Sequence, residues 1–169
     1  AANRSKSDLR IAAQALTELG IVHIFCGEWL KAQAALEPIA QIFEKLGWQP
    51  ETRRDLVIRI KYLAWQGWLD IRLGRMAQAE QGLNIAIMLN DKVDLGLKAT
   101  ASSHLGSLKM QQGRVEEAIA LYQQSLDIQE RIGNAHGKAT TLHNIATIKA
   151  QQGQVEEAVE LFHLALEIS

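Results

Sequence analysis

The stretch QQGRVEEAIALYQQSL, residues 111–126, returns forty residues later as QQGQVEEAVELFHLAL, residues 151–166. Sliding the chain by 40 lays Lys98–Ile128 over Lys138–Ile168 with 14 identities in 31 positions. Self-similarity at a fixed period marks a stacked-repeat architecture, in which each unit buries its apolar face only against its neighbours. In the first copy Val115, Ala118, Ile119, Tyr122 and Leu126 recur at spacings of three and four, as do Val155, Ala158, Val159, Phe162 and Leu166 in the second. That spacing is the apolar stripe of a helix. Leu105 and Leu108, matched by Ile145 and Ile148, mark a helix before each stripe. Gly113 and Gly153 stand between the two helices, where a residue free to turn left-handed ends the first. The expected unit is a helix-turn-helix hairpin.

The same punctuation occurs upstream. Gly67 precedes Gly74 by seven residues and Gly20 precedes Gly27 by seven, as Gly106 precedes Gly113 and Ala146 precedes Gly153. Four hairpins are predicted, over residues 6–47, 51–90, 93–133 and 134–169, within one all-α domain spanning 1–169. A glycine inside a helix costs about 1 kcal/mol, so a second helix should pack closely over each of these small residues. The interval from Gly27 to Gly74 is 47 residues, longer than the 39 and 40 that follow. It contains EKLGWQPETRRD, where Gly47 is expected to stop a helix and Pro50 to start the next. Pro38, inside the second helix of repeat one, should kink it.

Composition excludes several functions. With 47% hydrophobic residues, a 169-residue chain can build a core without disulfides or metals. Eighteen basic and 19 acidic residues give a net charge of -1, which favours neither nucleic acid nor an anionic membrane. The charge is uneven: residues 1–75 carry 11 Lys/Arg against 8 Asp/Glu, and residues 76–169 carry 7 against 11. Cys26 is the lone cysteine, so no intrachain disulfide forms and a cytoplasmic setting is expected. No apolar run approaches the roughly 18 residues of a membrane span, and AANRSKSDLR lacks a signal peptide's apolar stretch. The first residue is Ala rather than Met, which suggests a segment of a longer protein.

Apparent chemical motifs resolve into structure. GNAHGKAT, residues 133–140, approximates a phosphate loop but has three spacers where four are needed, and a helix rather than a strand before it. It reads as an inter-repeat turn in which Asn134 caps the next helix. Among His23, His104, His136, His143 and His163, none forms an i, i+4 pair with another His or Cys, so no metal site is expected. No nucleophile with a linked base is visible, and neither catalysis nor a cofactor is expected. Glu116-Glu117 and Glu156-Glu157 sit in the first turn of their helices, where carboxylates suit the helix dipole. Arg53, Arg54, Arg59, Lys61, Arg72 and Arg75 make a basic helix interrupted by Asp55 and Asp70, read as a solvated face.

HLGSLKMQQGRVEEAIALYQQSL and NIATIKAQQGQVEEAVELFHLAL resemble tetratricopeptide repeats. The resemblance rests on Gly106, Gly113, Ala118, Tyr122 and Ser125, and on Ala146, Gly153, Ala158, Phe162 and Ala165. Repeat two matches through Gly67, Gly74, Ala79, Leu83 and Ala86 without the aromatic, and repeat one through Gly20, Gly27, Ala32 and Leu36. The usual unit has 34 residues and ends in proline. The longer period here, with Gly133-Asn134 in place of the proline, is similar to the variety in kinesin light chains and bacterial regulatory proteins. The resemblance implies a right-handed α-solenoid of antiparallel hairpins whose first helices line a concave groove.

Carried onto this chain, that groove is lined by Lys61, Ala64, Trp65, Trp68, Ile71 and Arg72 in repeat two. Repeat three offers Thr100, Ser103, His104 and Ser107, and repeat four Thr140, His143, Asn144 and Thr147. Asn144 matches the position where relatives bond a peptide backbone. Trp65 and Trp68 suit an apolar anchor or, equally, core between repeats one and two. The expected binding set is Lys61, Trp65, Trp68, Arg72, His104, Ser107, His143, Asn144 and Thr147, for a peptide or protein partner. In the last helix, Val155, Val159, Phe162 and Leu166 are expected to face its hairpin partner. Leu161, Leu164, Ala165 and Ile168 are expected to meet a further repeat or a second copy. The leading expectation is a non-enzymatic protein-interaction module. The alternative is a self-assembly or sensor segment of a larger bacterial regulator, such as a transcription factor or signalling ATPase.

Overall fold

In the computed structural model, residues 2–47, 50–90 and 93–168 are described, with side chains from residue 5 onward. Trp48 and Gln49 of the first long linker and Ser169 of the last repeat lie outside them. The described residues form eight α-helices and no strand, in two compact units. The unit Ala1–Val93 holds α1 (Ala2–Phe25), α2 (Trp29–Leu46), α3 (Arg53–Arg72) and α4 (Met76–Leu89). The unit Asp94–Ser169 holds α5 (Leu95–Gln111), α6 (Val115–Ile132), α7 (Ala135–Gln151) and α8 (Val155–Ile168). Each unit contains two hairpins packed against each other, the all-helical class expected from the repeat.

The turns show why the glycines recur. Gly113 has φ +73° and its N–H donates to the Met110 carbonyl at 3.0 Å, while the Arg114 N–H reaches Lys109 O at 2.8 Å. These bonds satisfy carbonyls that the helix end would otherwise orphan. Gly153 repeats the turn at φ +80°, with Gln154 N–H on Lys149 O at 2.9 Å. Glu117 and Glu157 do more than complement the dipole. Glu117 holds Arg114 through two bonds of 2.6 Å, and Glu157 reaches back across its turn to Lys149 at 3.0 Å.

Inside the hairpins the small residues meet large ones. A Cβ on Gly20 would lie 2.5 Å from Leu36 Cδ2, and one on Gly106 would lie 3.1 Å from the Tyr122 ring. Leu36, Leu83 and Leu108 are wholly buried, each worth about 1.5–3 kcal/mol relative to exposure.

Helix starts are chemically marked. Asn134 caps α7 by accepting from the Gly137 N–H at 2.9 Å, as expected. The start of α3 corrects the sequence reading: Gly47 does cap α2, but Pro50 does not open α3. A capping box does so, with Thr52 Oγ1 accepting from Asp55 N–H and Asp55 Oδ2 accepting from Thr52 N–H, both at 3.1 Å. Pro38 lies within α2, which continues through it to Leu46.

The basic face of α3 is not simply solvated. Arg59 is buried with its guanidinium 5.2 Å from the Phe43 ring centroid, and burial lowers its pKa. Lys61 pairs with Glu18 at 2.5 Å, and Arg54 donates to Gln14 at 2.8 Å. Arg10 of α1 bridges Asp55 at 2.6 Å and Glu51 at 2.7 Å. These cations tie α3 to the first hairpin, so a stripe free to grip phosphates does not form.

Candidate functional site

The predicted binding residues fall in both units, and each set has its own local chemistry. In the first unit Trp65 and Trp68 lie one helical turn apart on α3, half-buried against a core of Ile24, Leu36, Ile39 and Leu69. The Trp65 ring meets Phe25 edge-on, with centroids 5.2 Å apart, and Phe25 is 76% exposed. Arg72 places its guanidinium 5.0 Å from the Trp29 ring. Such rings carry a large apolar surface with defined geometry. Phe25 and Trp29 flank the α1–α2 turn and are not part of the predicted set. Their sequence signal is two aromatics on either side of Cys26-Gly27-Glu28, visible only once α1 and α3 are placed side by side. Ala64 and Ile71, offered as groove residues, are buried instead and serve the hairpin core.

In the second unit the polar lane runs along α5 and α7. Ser107 Oγ hydrogen-bonds the Tyr122 hydroxyl at 2.8 Å, and burial pushes that phenol above its ordinary pKa. Thr147 Oγ1 donates to the His143 carbonyl at 2.9 Å. Both hydroxyls are therefore committed within the fold. The exposed His143 ring lies 5.2 Å from that of Phe162, and His104 is half-buried. Asn144 is half-buried too, and its amide has no hydrogen-bond partner among the described residues. That amide offers both a donor and an acceptor.

Beside the lane is an open groove of about 510 Å³, lined by His136, Ala139, Thr140 and His143 of α7 and by Phe162, Ala165 and Leu166 of α8. Its α8 wall corrects the sequence reading of that helix. Leu161 and Ile168, expected to face outward, pack on the unit's core, and Ala165 is buried at the groove's edge; only Leu164 of that set is exposed. Val155, Val159 and Leu166, expected to face the hairpin partner, are 60%, 47% and 73% exposed. The cause is the close approach of α7, which selects the small side of α8, with Ala158 and Ala165 buried against it.

Among the described residues, no cluster of three or more His, Cys, Asp or Glu side chains could hold a metal, and no helix is long and apolar enough to cross a membrane.

Residues 97–169 match the family model described as Tetratricopeptide repeat. Among the solved structures that resemble the chain are the following three. MamA superposes with a TM-score of 0.62 at 22% identity, over 92% of this chain and 77% of its own. A signal transduction ATPase with numerous domains that has a tetratricopeptide repeat sensor, from Pyrococcus horikoshii, gives 0.71 at 17% identity, over 95% of this chain and 24% of its own. BtubC from P. vanneervenii gives 0.72 at 20% identity, over 99% of this chain and 70% of its own. At such identities the likeness is one of fold. No curated protein matches the chain.

Proposed function

We propose that this tetratricopeptide-repeat chain is a non-catalytic protein-interaction module that binds extended peptide segments along first helices, with a separate surface in each unit. Repeats of this family generally mediate protein–protein interaction. The observation that supports the finer reading is the Asn144 amide, which has no hydrogen-bond partner among the described residues, whereas the Ser107 and Thr147 hydroxyls bond within the fold. A half-buried amide without an internal partner suits the donor and acceptor of a passing backbone. In the first unit Trp65 and Trp68, joined by Phe25, offer an aromatic surface for apolar side chains, flanked by Lys61 and Arg72. Lone Cys26 fits a cytoplasmic setting. The ATPase neighbour carries its tetratricopeptide repeats as a sensor, and that likeness of fold makes a signalling role the second reading.

Panning the chain against a displayed library of unstructured peptides tests this directly. Enriched peptides that use the second unit should lose roughly five-fold in affinity on Asn144→Ala, as for one hydrogen bond of about 1 kcal/mol. Those that use the first unit should lose more on Trp68→Ala, where an interface aromatic is worth about 2 kcal/mol or above. Peptides that bind the double variant as tightly as the parent would place the site elsewhere.

A further inference from the structure

Three of the four hairpins close their turn with a complete pair of opposite charges. In repeat one His23 Nδ1 meets Glu28 at 2.6 Å, and Lys31 holds the same carboxylate at 2.7 Å. In repeats three and four the base before the turn is Lys109 or Lys149, facing Glu117 at 3.9 Å or Glu157 at 3.0 Å. Repeat two reverses the pattern. Counted from its turn glycine, Asp70 stands where the others have His or Lys, and Gln78 stands where repeats three and four have Glu.

The reversed pair is incomplete. Asp70 is buried, and burial raises its pKa against the pull of Arg75 and Gln66. Gln66 Nε2 donates to Asp70 Oδ1 at 3.0 Å, and Arg75 Nε lies 3.0 Å from the same oxygen without the alignment of a hydrogen bond. Asp70 Oδ2 therefore has no hydrogen-bond partner among the described residues, and neither do the enclosed Nε and Nη2 of Arg75. Charged groups taken out of water short of their hydrogen bonds cost stability. A group that completes both of them recovers it.

Both side chains line an open pocket of about 330 Å³ whose walls come from α2, α3 and α4, none of them an end helix of the sequence. Asp70 is 5% exposed, whereas Glu37 of α2 and Gln78 of α4 are exposed, so the pair is reached by a side chain let down between them. An anion there would meet Asp70 and Glu37, and a cation would meet Arg75. A carboxamide meets neither objection, because it is neutral and carries an acceptor beside a donor. The other polar groups of the pocket, the Tyr62 hydroxyl and the amides of Gln33 and Gln66, are neutral donor–acceptors too.

We infer that this pocket receives a glutamine or asparagine side chain of a partner protein, its oxygen accepting from the Arg75 guanidinium and its N–H donating to Asp70 Oδ2. The site shares no residue with the Trp65–Trp68 surface or the Asn144 lane. It goes beyond the peptide reading, and Asn144→Ala should leave it unchanged.

The test is an NMR titration of the 169-residue chain with acetyl-Gly-Gln-Gly, acetyl-Gly-Glu-Gly and acetyl-Gly-Ala-Gly N-methylamides, following Arg75 Nε–H and the side-chain amides of Gln33, Gln66 and Gln78. The glutamine peptide should shift these resonances in a saturable way. The alanine peptide should bind at least about five-fold more weakly, for one lost hydrogen bond, and the glutamate peptide more weakly still, since its carboxylate faces two others. Asp70→Leu and Arg75→Met should each weaken the glutamine peptide by about five-fold or more, with circular dichroism showing the helices intact. No saturable shift up to the solubility limit of the glutamine peptide overturns the inference. So does an alanine or glutamate peptide that binds the parent chain as tightly as the glutamine peptide, a comparison that needs no variant to fold.

Discussion

Gly67 of α3 lies directly beneath Leu83 of α4: a Cβ on the glycine would come within 2.6 Å of the leucine Cγ. Leu83 is wholly buried and cannot swing away. Gly67→Ala should therefore destabilise the chain by about 1–3 kcal/mol through overpacking, even though alanine gains about 1 kcal/mol in helix propensity. Gly106→Ala, whose new methyl meets the Tyr122 ring at 3.1 Å, should cost less, because the ring need give by only a few tenths of an ångström. Repeat four already carries Ala146 at this place, opposite Phe162. Urea denaturation of the two variants, compared by midpoint at constant slope, checks the order.

Thr52→Ala removes the side-chain acceptor that opens α3. The expected loss is about 1 kcal/mol, while Pro50→Ala, outside the helix, should change stability by less than about half as much. Thermal melts of both variants decide between capping box and proline as the start signal.

The carboxyl of Asp55 gives stability a pH dependence. Burial alone would raise its pKa, but Arg10 and the Thr52 bonds together hold it below the ordinary aspartate range. An acid with a depressed folded pKa contributes stability that is present above its unfolded value, about 3.9, and is lost as pH falls through the folded value. Asp55→Asn should cost about 1–2 kcal/mol at neutral pH, and the deficit should shrink as acidification protonates the parent. Denaturation midpoints between neutral pH and pH about 3 measure this.

The repeat is legible because its determinants are local. Period, turn glycines and the Asn134 cap are fixed within a few residues, and all appear in the structure where the sequence puts them. What the sequence hides is direction. The stripe Val155–Val159–Phe162–Leu166 is as regular as the face formed by Ala158, Leu161, Ala165 and Ile168, and spacing cannot say that Phe162 of the first meets α7 while Val155, Val159 and Leu166 are exposed. The backbone approach decides, favouring the side with alanines. Basic residues of α3 look solvated in the sequence because their partners, Glu18, Phe43 and Gln14, lie far back in the chain. Thr52 escapes notice because its reciprocal partner is Asp55, where the usual box has Glu or Gln. Within the candidate lane, residue types alone do not separate Asn144, which has bonding capacity to spare, from Ser107 and Thr147, which have committed theirs.

The central claim is that a peptide runs along the first helices, and the measurement that tests it most directly is an NMR titration of the 169-residue chain with a peptide enriched by panning. A peptide seated in the second unit is expected to shift the Asn144 side-chain amide in a saturable way, with His143 following, and one seated in the first unit to shift the Trp65 and Trp68 indole N–H resonances. Saturable shifts confined to α2, α4 and α6, with Asn144 and both indoles unmoved, would contradict it.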